Sequence, residues 1–180
     1  FKKARAFLFG LDPGLLNVYY KYLCKPKANS ISAIIETKAE KWPFYFLQIG
    51  GNDGYINDPI FKCVKRYDLK GIIVEPQKEV FEKRLSKTYR FEKKVFLENV
   101  AVTNKNEIKK LYKLAISNAR WATGLATFDR KTLEHHIEKG YVAERIKKEG
   151  IPIPTHLDGY ITHEDVQCTT IEALLKKYRF

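Results

Sequence analysis

Apolar residues follow a helical spacing over the first part of the chain. The positions that carry this spacing are Leu15, Val18, Tyr19, Tyr22, Ile31, Ile34 and Ile35. Lys25-Pro26 interrupts the pattern, because proline does not fit the interior of a helix. We therefore predict an N-terminal helical segment over residues 1–40.

The pattern then changes into short apolar runs that alternate with helical spacing. The runs at Tyr45–Ile49, 71–74 and 95–102 are typical of strands that are buried on both faces. Two helices are predicted between them, with apolar faces formed by Ile60, Phe61, Val64 and Tyr67 in the first and by Val80, Phe81, Leu85 and Tyr89 in the second. Asp58 and Pro59 fit the N-cap and the first position of the first helix. Strands and helices in this order predict an α/β fold with a parallel sheet and helices on both faces.

The remaining elements are predicted from shorter signals. They are a strand at 110–115, a charged helical region at 130–150, a Pro/Gly loop at 150–160 and a strand at 166–168. The tetrapeptide Thr169-Thr170-Ile171-Glu172 fits a capping box that opens a final helix, Ile171–Tyr178. We assign residues 41–180 to one domain, in which 130–165 is a lid or an insertion.

The composition limits the class of protein. With 180 residues, 44% hydrophobic and 13% aromatic, the chain is long and apolar enough to form one folded domain. Charged residues interrupt every apolar run well below the roughly 18 residues of a membrane span, so we expect no membrane association. Cys24, Cys63 and Cys168 are far apart and form no CxxC, which favours a reducing, cytoplasmic location and no metal site.

The net charge of +12 leaves two interpretations open. It arises from 33 Lys+Arg against 21 Asp+Glu. The lysines are spread along the whole chain, which favours a solvated exterior over a nucleic-acid surface. An RNA-binding or RNA-modifying domain remains the alternative.

A glycine-rich turn, Gly50 to Gly54, follows the first predicted strand. Ligands of parallel α/β sheets bind at the carboxyl ends of strands, where small residues expose backbone N–H groups. The turn contains neither GxxxxGK[ST] nor GxGxxG, which excludes a P-loop and the NAD fingerprint, and it lacks the pattern of an EF-hand. Its purpose is therefore either a tight turn or a different ligand site.

Two further positions favour a nucleoside. Glu75 ends the second strand about twenty residues after the turn, where a carboxylate accepts hydrogen bonds from ribose hydroxyls. Asn99, followed by Ala101, lies near the end of the third strand, where an adenine edge could be recognised. The order and spacing of the turn, Glu75 and Asn99 predict a nucleoside-binding site.

Five short motifs resemble those of a known family. FLQIGGNDGYINDPI, IIVEPQ, ENVAV, GLATFD and CTTIEALLKKY, in that order, are similar to motifs of the FkbM-type S-adenosylmethionine-dependent methyltransferases. The resemblance covers roughly residues 44–180. It implies a Rossmann-like sheet, S-adenosylmethionine as the cofactor, and methyl transfer to a hydroxyl of a sugar or natural product.

The resemblance also implies roles for individual residues. The turn, comprising Gln48, Gly50, Gly51, Asn52, Asp53 and Gly54, would hold the methionine moiety. Glu75, next to Pro76, would bind the ribose hydroxyls, and the adenine side would be formed by Asn99, Val100 and Ala101. Gln48 replaces the more usual acidic residue, so its hydrogen bond to the cofactor's amino group would be neutral and weaker.

The residues for catalysis are less defined. Candidates for a general base are Asp53, Asp58, His135, His136 and His163, none of which we assign, and Trp121 and Tyr160 could line an acceptor pocket. The family's sheet has about seven strands, whereas at most five are predicted here. We therefore expect a sheet that is incomplete at its C-terminus and a chain that alone binds the cofactor weakly without turnover. A non-catalytic cofactor-binding module is a further alternative.

Overall fold

Two three-stranded sheets organise the chain. The computed structural model describes residues 18–42 and 44–180, so Leu15 of the predicted N-terminal helix lies outside the described residues. In the first sheet, β1 (Tyr45–Ile49), β2 (Lys70–Val74) and β3 (Val95–Glu98) are parallel and lie in the order β1-β2-β3. This arrangement confirms the predicted parallel sheet for its first two strands and the start of the third. The prediction that β1 is buried on both faces is wrong, because β1 is an edge strand in which Tyr45 and Ile49 are exposed.

Over residues 18–42, the N-terminal segment is helical in two separate pieces. A π-helical turn, Tyr19–Leu23, is followed by α1 (Ile31–Lys41), which begins where Ser30 Oγ accepts a hydrogen bond from Ala33 N. These pieces pack against α2 (Phe61–Tyr67), the helix that follows the glycine turn. Residues 24–30 are not helical, so the predicted segment is divided at the Lys25-Pro26 break.

Arg66 of α2 ties both pieces of the N-terminal segment to the domain. Its guanidinium contacts the carboxylate of Glu36 and donates to the backbone carbonyls of Tyr20 and Cys24. A guanidinium presents several donors in one rigid plane, and here it uses them on two different parts of the chain.

The second predicted helix is present but irregular. It starts as α-helix at Lys78–Val80, passes through a π-helical turn at Phe81–Leu85 and ends as α-helix at Ser86–Thr88. We refer to this run as residues 78–88. The sequence pattern predicted its apolar face but not the π-turn in its middle.

The predicted strand 95–102 is wrong as one element. It divides into β3 in the first sheet and β4 (Ala101–Val102) in the second. Between them, Asn99 Nδ2 donates to the carbonyls of Glu75 and Pro76 at 2.8 and 3.0 Å. These bonds replace ladder pairing at the end of β3, and the chain then leaves the first sheet.

The second sheet was predicted only in part. It contains β4, β5 (Glu107–Leu114) and β6 (Ile161–Thr169) in the order β4-β6-β5, with β6 parallel to β4 and antiparallel to β5. The runs predicted at 110–115 and 166–168 cover only parts of β5 and β6. Six strands in two sheets thus replace the five that were counted.

Helices between β5 and β6 form a separate apolar cluster. They are α3 (Arg120–Thr123), α4 (Arg130–Glu138) and α5 (Tyr141–Glu149), and a 3-10 turn at Leu157–Gly159 leads into β6. The buried members of this cluster are Leu114, Ala122, Leu133, Val142 and Ile146. The helices therefore pack on β5 of the second sheet.

The last helix, α6 (Ile171–Tyr178), returns to the first sheet. Thr170 is its N-cap and accepts a hydrogen bond from Ala173 N at 3.1 Å. Since Ala173 occupies the third helical position, Glu172 does not form the predicted capping box. The predicted helix bounds are nevertheless confirmed.

Side chains of β2 alternate between the two faces of the first sheet. Ile73 packs with Phe61 and Leu85 on one face, and Ile72 packs with Leu174 of α6 on the other. Helices therefore cover both faces, as an α/β fold requires.

The next three observations apply only to the described residues, 18–42 and 44–180. Every helix there falls short of the length and hydrophobicity that a bilayer crossing needs. Their His, Cys, Asp and Glu side chains form no group of three that could hold a metal ion. Cys24, Cys63 and Cys168 are buried free thiols, and burial raises the pKa of Cys63 to about 11.

Candidate functional site

The glycine turn is attached to the carboxyl end of β2. The N–H groups of Gly50 and Gly51 both donate to the carbonyl of Val74, at 3.0 and 2.9 Å, and Gly54 N donates to Gly51 O at 2.8 Å. Asn52 adopts a left-handed conformation with φ of 48°, which asparagine tolerates better than most residues. The turn therefore lies at the end of two adjacent parallel strands.

The three glycines of the turn are required for different reasons. A Cβ on Gly51 would lie 2.4 Å from Ile73 Cγ2, and one on Gly54 would lie 2.6 Å from the Tyr89 ring. Internal packing therefore explains both positions. Gly50 has φ of +74° and no atom within 4 Å of its Cβ position. Only Gly50 thus leaves open space beside the backbone.

Glu75 joins the turn to the next strand end. Only 2% of the residue is exposed. Its Oε2 accepts a hydrogen bond from Asn52 N at 2.8 Å, and its Oε1 accepts from Gln77 N and Nε2 at 3.0 and 3.2 Å. Burial raises the pKa of Glu75, while these hydrogen bonds to the carboxylate act in the opposite direction. The glycine turn and Glu75, which the sequence predicted to form one site, are thus in direct contact.

Residues 118–124, which we name the covering segment, lie over this contact. Asn52 Nδ2 donates to Thr123 Oγ1 at 3.0 Å, and Gln77 Nε2 donates to Thr123 O at 2.9 Å. Arg120 Nε lies 3.5 Å from Asp53 Oδ2. A cavity of about 50 Å³ next to Gln77 and Thr123 is far smaller than the roughly 300–1,000 Å³ of ligand pockets. In this arrangement the covering segment closes the site.

Gln48 and Asp58 form the other wall of the turn. Gln48 Nε2 donates to Asp58 Oδ2 at 2.6 Å, and Asp58 Oδ1 accepts from Ile60 N and Phe61 N. The predicted capping role of Asp58 is confirmed, although regular helix begins at Phe61 and not at Pro59. Gln48 Oε1 is buried without a hydrogen-bond partner among the described residues, so it is an acceptor that none of these residues satisfies.

The predicted adenine side has a structural role in this arrangement. Asn99 uses its amide on the carbonyls of Glu75 and Pro76. Val100 packs beside Ile72 below the sheet, and Ala101 is buried in the second sheet. Of these residues, the side chain of Asn99 is the one bonded at the strand ends.

The candidate bases are dispersed. Asp53 accepts hydrogen bonds from Tyr55 N and Ile56 N, so its carboxylate shapes the turn. His135 and His136 lie on α4, and His163 lies on β6. The His136 ring is 6.3 Å from the Tyr141 ring, the His135 ring is 6.5 Å from the His136 ring, and the His163 ring is 6.0 Å from the Tyr112 ring.

The aromatic residues expected to line an acceptor pocket lie elsewhere. Trp121 and Tyr160 both pack against the cluster formed with α4 and α5, and Trp121 Nε1 donates to Glu149 at 2.6 Å. A cavity of about 530 Å³ instead lies between the N-terminal segment and residues 55–62, with Tyr55 and Phe61 in its wall. Sequence reasoning missed this cavity, because it forms between parts of the chain that no local pattern connects.

Two polar residues of the site were also missed. Gln77 and Thr123 are both buried, and together they connect Glu75 to the covering segment. Gln77 follows Glu75-Pro76 directly, so its position was a detectable signal, whereas Thr123 is 71 residues from its partner Asn52. The completed site can offer a carboxylate, an unpaired amide oxygen and exposed backbone at one strand edge.

No protein-family model, no curated protein and no solved structure matches this chain. The geometry of the strand-end site is therefore the basis on which a function has to be argued.

Proposed function

We propose that the chain binds S-adenosylmethionine at the carboxyl ends of β1 and β2 and transfers its methyl group to a hydroxyl of a sugar or natural product. The observation that carries this proposal is the hydrogen bond of 2.8 Å from Asn52 N to Glu75 Oε2. It joins a glycine turn to a strand-end carboxylate, which is the arrangement that binds nucleosides in Rossmann-like sheets.

The residues of the turn fit the amino-acid end of this cofactor. Gln48 Oε1 is a buried acceptor without a donor among the described residues, and an ammonium group would supply one. Gly50 leaves open space at the same strand end, although the backbone N–H groups of residues 50–54 already donate within the protein. The unpaired oxygen beside this open space supports a ligand that carries an ammonium group.

Glu75 retains capacity for a ribose hydroxyl. A carboxylate has about four acceptor positions, of which Glu75 uses two on Oε1 and one on Oε2. The remaining position on Oε2 suits a hydroxyl donor. Access requires the covering segment to move, since Thr123 bonds to both Asn52 and Gln77 over the carboxylate. We therefore infer that cofactor binding is coupled to opening of residues 118–124.

When bound, the cofactor supplies a methyl group on an electrophilic sulfonium. The protein's residues hold and orient its polar groups and keep water from the strand ends. Asp58 already accepts hydrogen bonds from Gln48, Ile60 and Phe61, so we assign it to structure and not to proton transfer.

The test is calorimetric titration with S-adenosylhomocysteine. We expect a single site in the wild-type protein and at least a tenfold weaker site in Glu75→Ala, because hydrogen bonds to charged groups contribute about 1.5–3 kcal/mol. Glu138→Ala, at an exposed position on α4, is the matched control and should bind normally. Neither heat nor a thermal shift with a folded wild-type sample would refute the proposal.

The two alternatives predict other results. An RNA-binding domain would bind oligonucleotides with an affinity that falls steeply as salt is raised, and Glu75→Ala would leave that affinity unchanged. A non-catalytic module would bind S-adenosylhomocysteine without methylating any acceptor that binds beside it.

A further inference from the structure

A cavity of about 530 Å³ adjoins the proposed cofactor site but is separate from it. One wall is formed by residues 55–59, which continue the glycine turn, and the opposite wall by the N-terminal segment. Asp58 lies in this wall, and its Oδ2 accepts a hydrogen bond from Gln48 Nε2 at 2.6 Å. The contact between Asp58 and Gln48 therefore separates the cavity from the turn. The volume is within the range of small-molecule sites.

The inner wall is a rigid group of aromatic rings. The ring of Phe61 lies 5.2 Å from those of both Tyr20 and Tyr55, with interplanar angles of 84° and 85°. Tyr20 and Phe61 are each only 2% exposed. Edge-to-face packing of this kind fixes the rings in place, and the half-buried Tyr55 is the ring of this group that a ligand can contact.

Two lysines in the cavity wall lack an ion-pair partner. Within the part of the chain that the structure describes, neither Lys27 nor Lys62 has a carboxylate within 4.0 Å, although Lys65 and Lys113 are each paired with a glutamate. Asp58 is the acidic residue of the wall, and its carboxylate is already hydrogen-bonded. With two lysines and one aspartate, the wall has a formal charge of +1, which favours an anionic ligand.

We propose that this cavity binds a compound of monosaccharide size that carries a phosphate or carboxylate group. Tyr55 would contact the ring, and Lys27 and Lys62 would bind the anionic group. This binding rests on the cavity alone and is independent of the proposed cofactor site.

The test is titration of the full chain with four probes: glucose 6-phosphate, glucuronate, glucose and inorganic phosphate. We expect both anionic sugars to bind at least about tenfold more tightly than glucose or phosphate alone, because ring and charge are recognised together. The relative affinities of the phosphate and carboxylate probes distinguish the two sources of charge. Saturable binding of neither anionic sugar, or phosphate alone binding as tightly as glucose 6-phosphate, overturns the proposal.

Variants locate the binding site. Lys27→Gln with Lys62→Gln should weaken the anionic sugars about tenfold or more and leave glucose unchanged. Lys87→Gln with Lys176→Gln removes the same charge at exposed positions outside the cavity and should have no effect. Equal losses in the two double variants would reduce the effect to general charge attraction and refute the site.

The two proposals fail in different ways. If the cavity is assigned correctly, the Lys27/Lys62 variant keeps normal S-adenosylhomocysteine binding, and Glu75→Ala keeps normal glucose 6-phosphate binding. Sugar-phosphate binding without any S-adenosylhomocysteine binding would refute the cofactor proposal, but not the anion-binding cavity. Loss of both ligands in the lysine variant would refute the separation of the two sites.

Discussion

Replacing Gly51 by alanine tests the packing role assigned to the middle of the glycine turn. The new methyl carbon would lie 2.4 Å from Ile73 Cγ2 and 3.3 Å from Leu85 Cδ1. Carbon atoms normally approach to about 3.5–4.0 Å, so the first contact overlaps by more than about 1 Å. Ile73 and Leu85 are fully buried and cannot turn into solvent. We expect a loss near the upper end of the roughly 1–3 kcal/mol that overpacking costs.

Gly50→Ala is the comparison at the adjacent position. It introduces no clash, but it places alanine at φ of +74°. The left-handed conformation costs about 1–2 kcal/mol, and a less flexible unfolded chain offsets part of this, so a net loss of about 1 kcal/mol is expected. Gly140→Ala repeats the same change at φ of +80° with no atom within 4 Å, away from the turn, and should cost about as much.

Urea unfolding measures all three variants. With a slope of about 2 kcal/mol/M, the midpoint should fall by about 1.5 M for Gly51→Ala and by about 0.5 M for the other two. Among Gly50→Ala and Gly140→Ala, only the first should weaken S-adenosylhomocysteine binding. A Gly51→Ala protein as stable as the Gly140→Ala protein would refute the packing argument.

Three further predictions concern charges and caps. Burial raises the pKa of Glu75 above its ordinary 4.5, so its contribution to the free energy of unfolding is complete below that pH and is lost as the pH rises through the raised pKa. Glu75→Gln should flatten this decline in urea unfolding above pH 4.5, whereas Glu138→Gln should not, and an unchanged decline in the first variant would contradict the assignment. Asp58→Ala should lower the free energy of unfolding by about 1–2 kcal/mol, while Asp58→Asn should keep most of the cap, so equal losses in urea unfolding would exclude capping as the cause. In Arg66→Lys, the lysine ammonium cannot hold a carboxylate and two carbonyls in one plane, so we expect thermolysin to cleave residues 18–42 sooner than in the wild type. Arg90→Lys, at an exposed position, is the control. Unchanged cleavage of Arg66→Lys would show that the planar guanidinium is not needed.

The sequence pattern was sufficient where the interactions are local. The apolar run of β1, the glycine turn and the apolar face of α2 follow one another within a short stretch, and all three were predicted. Asp58 bonds to Ile60 N and Phe61 N only two and three residues away, so its capping role could be deduced from position alone.

Long-range contacts account for what the sequence did not reveal. The break between β3 and β4 depends on bonds from Asn99 to carbonyls 23 and 24 residues away, and an apolar run contains no signal for them. The bond between Asn52 and Thr123 spans 71 residues, so the closure of the site by the covering segment could not be predicted either. Glu75 was recognised as a ligand candidate, but its burial depends on the same distant segment.

Aromatic residues illustrate the same limit for the cavity. Trp121 and Tyr160 were predicted to line an acceptor pocket because such a pocket needs aromatic side chains. The structure instead uses Tyr20 and Tyr55, which are 35 residues apart and share a hydrogen bond of 3.4 Å between their hydroxyls. Composition identifies residues able to form such a wall, whereas only tertiary structure determines which of them meet.

The pairing of Ala101 with Cys168 and of Val102 with Thr169 joins the two ends of a long excursion of the chain side by side. The chain between these pairs, which includes the covering segment and α3 to α5, begins after β4 and ends at the last residues of β6. Because hydrogen bonds between β4 and β6 hold both ends, changes of length within residues 103–167 that leave the covering segment intact need not shift the strands that carry Gly50 and Glu75. The parts of the excursion outside residues 118–124 can therefore vary while the strand-end site keeps its geometry.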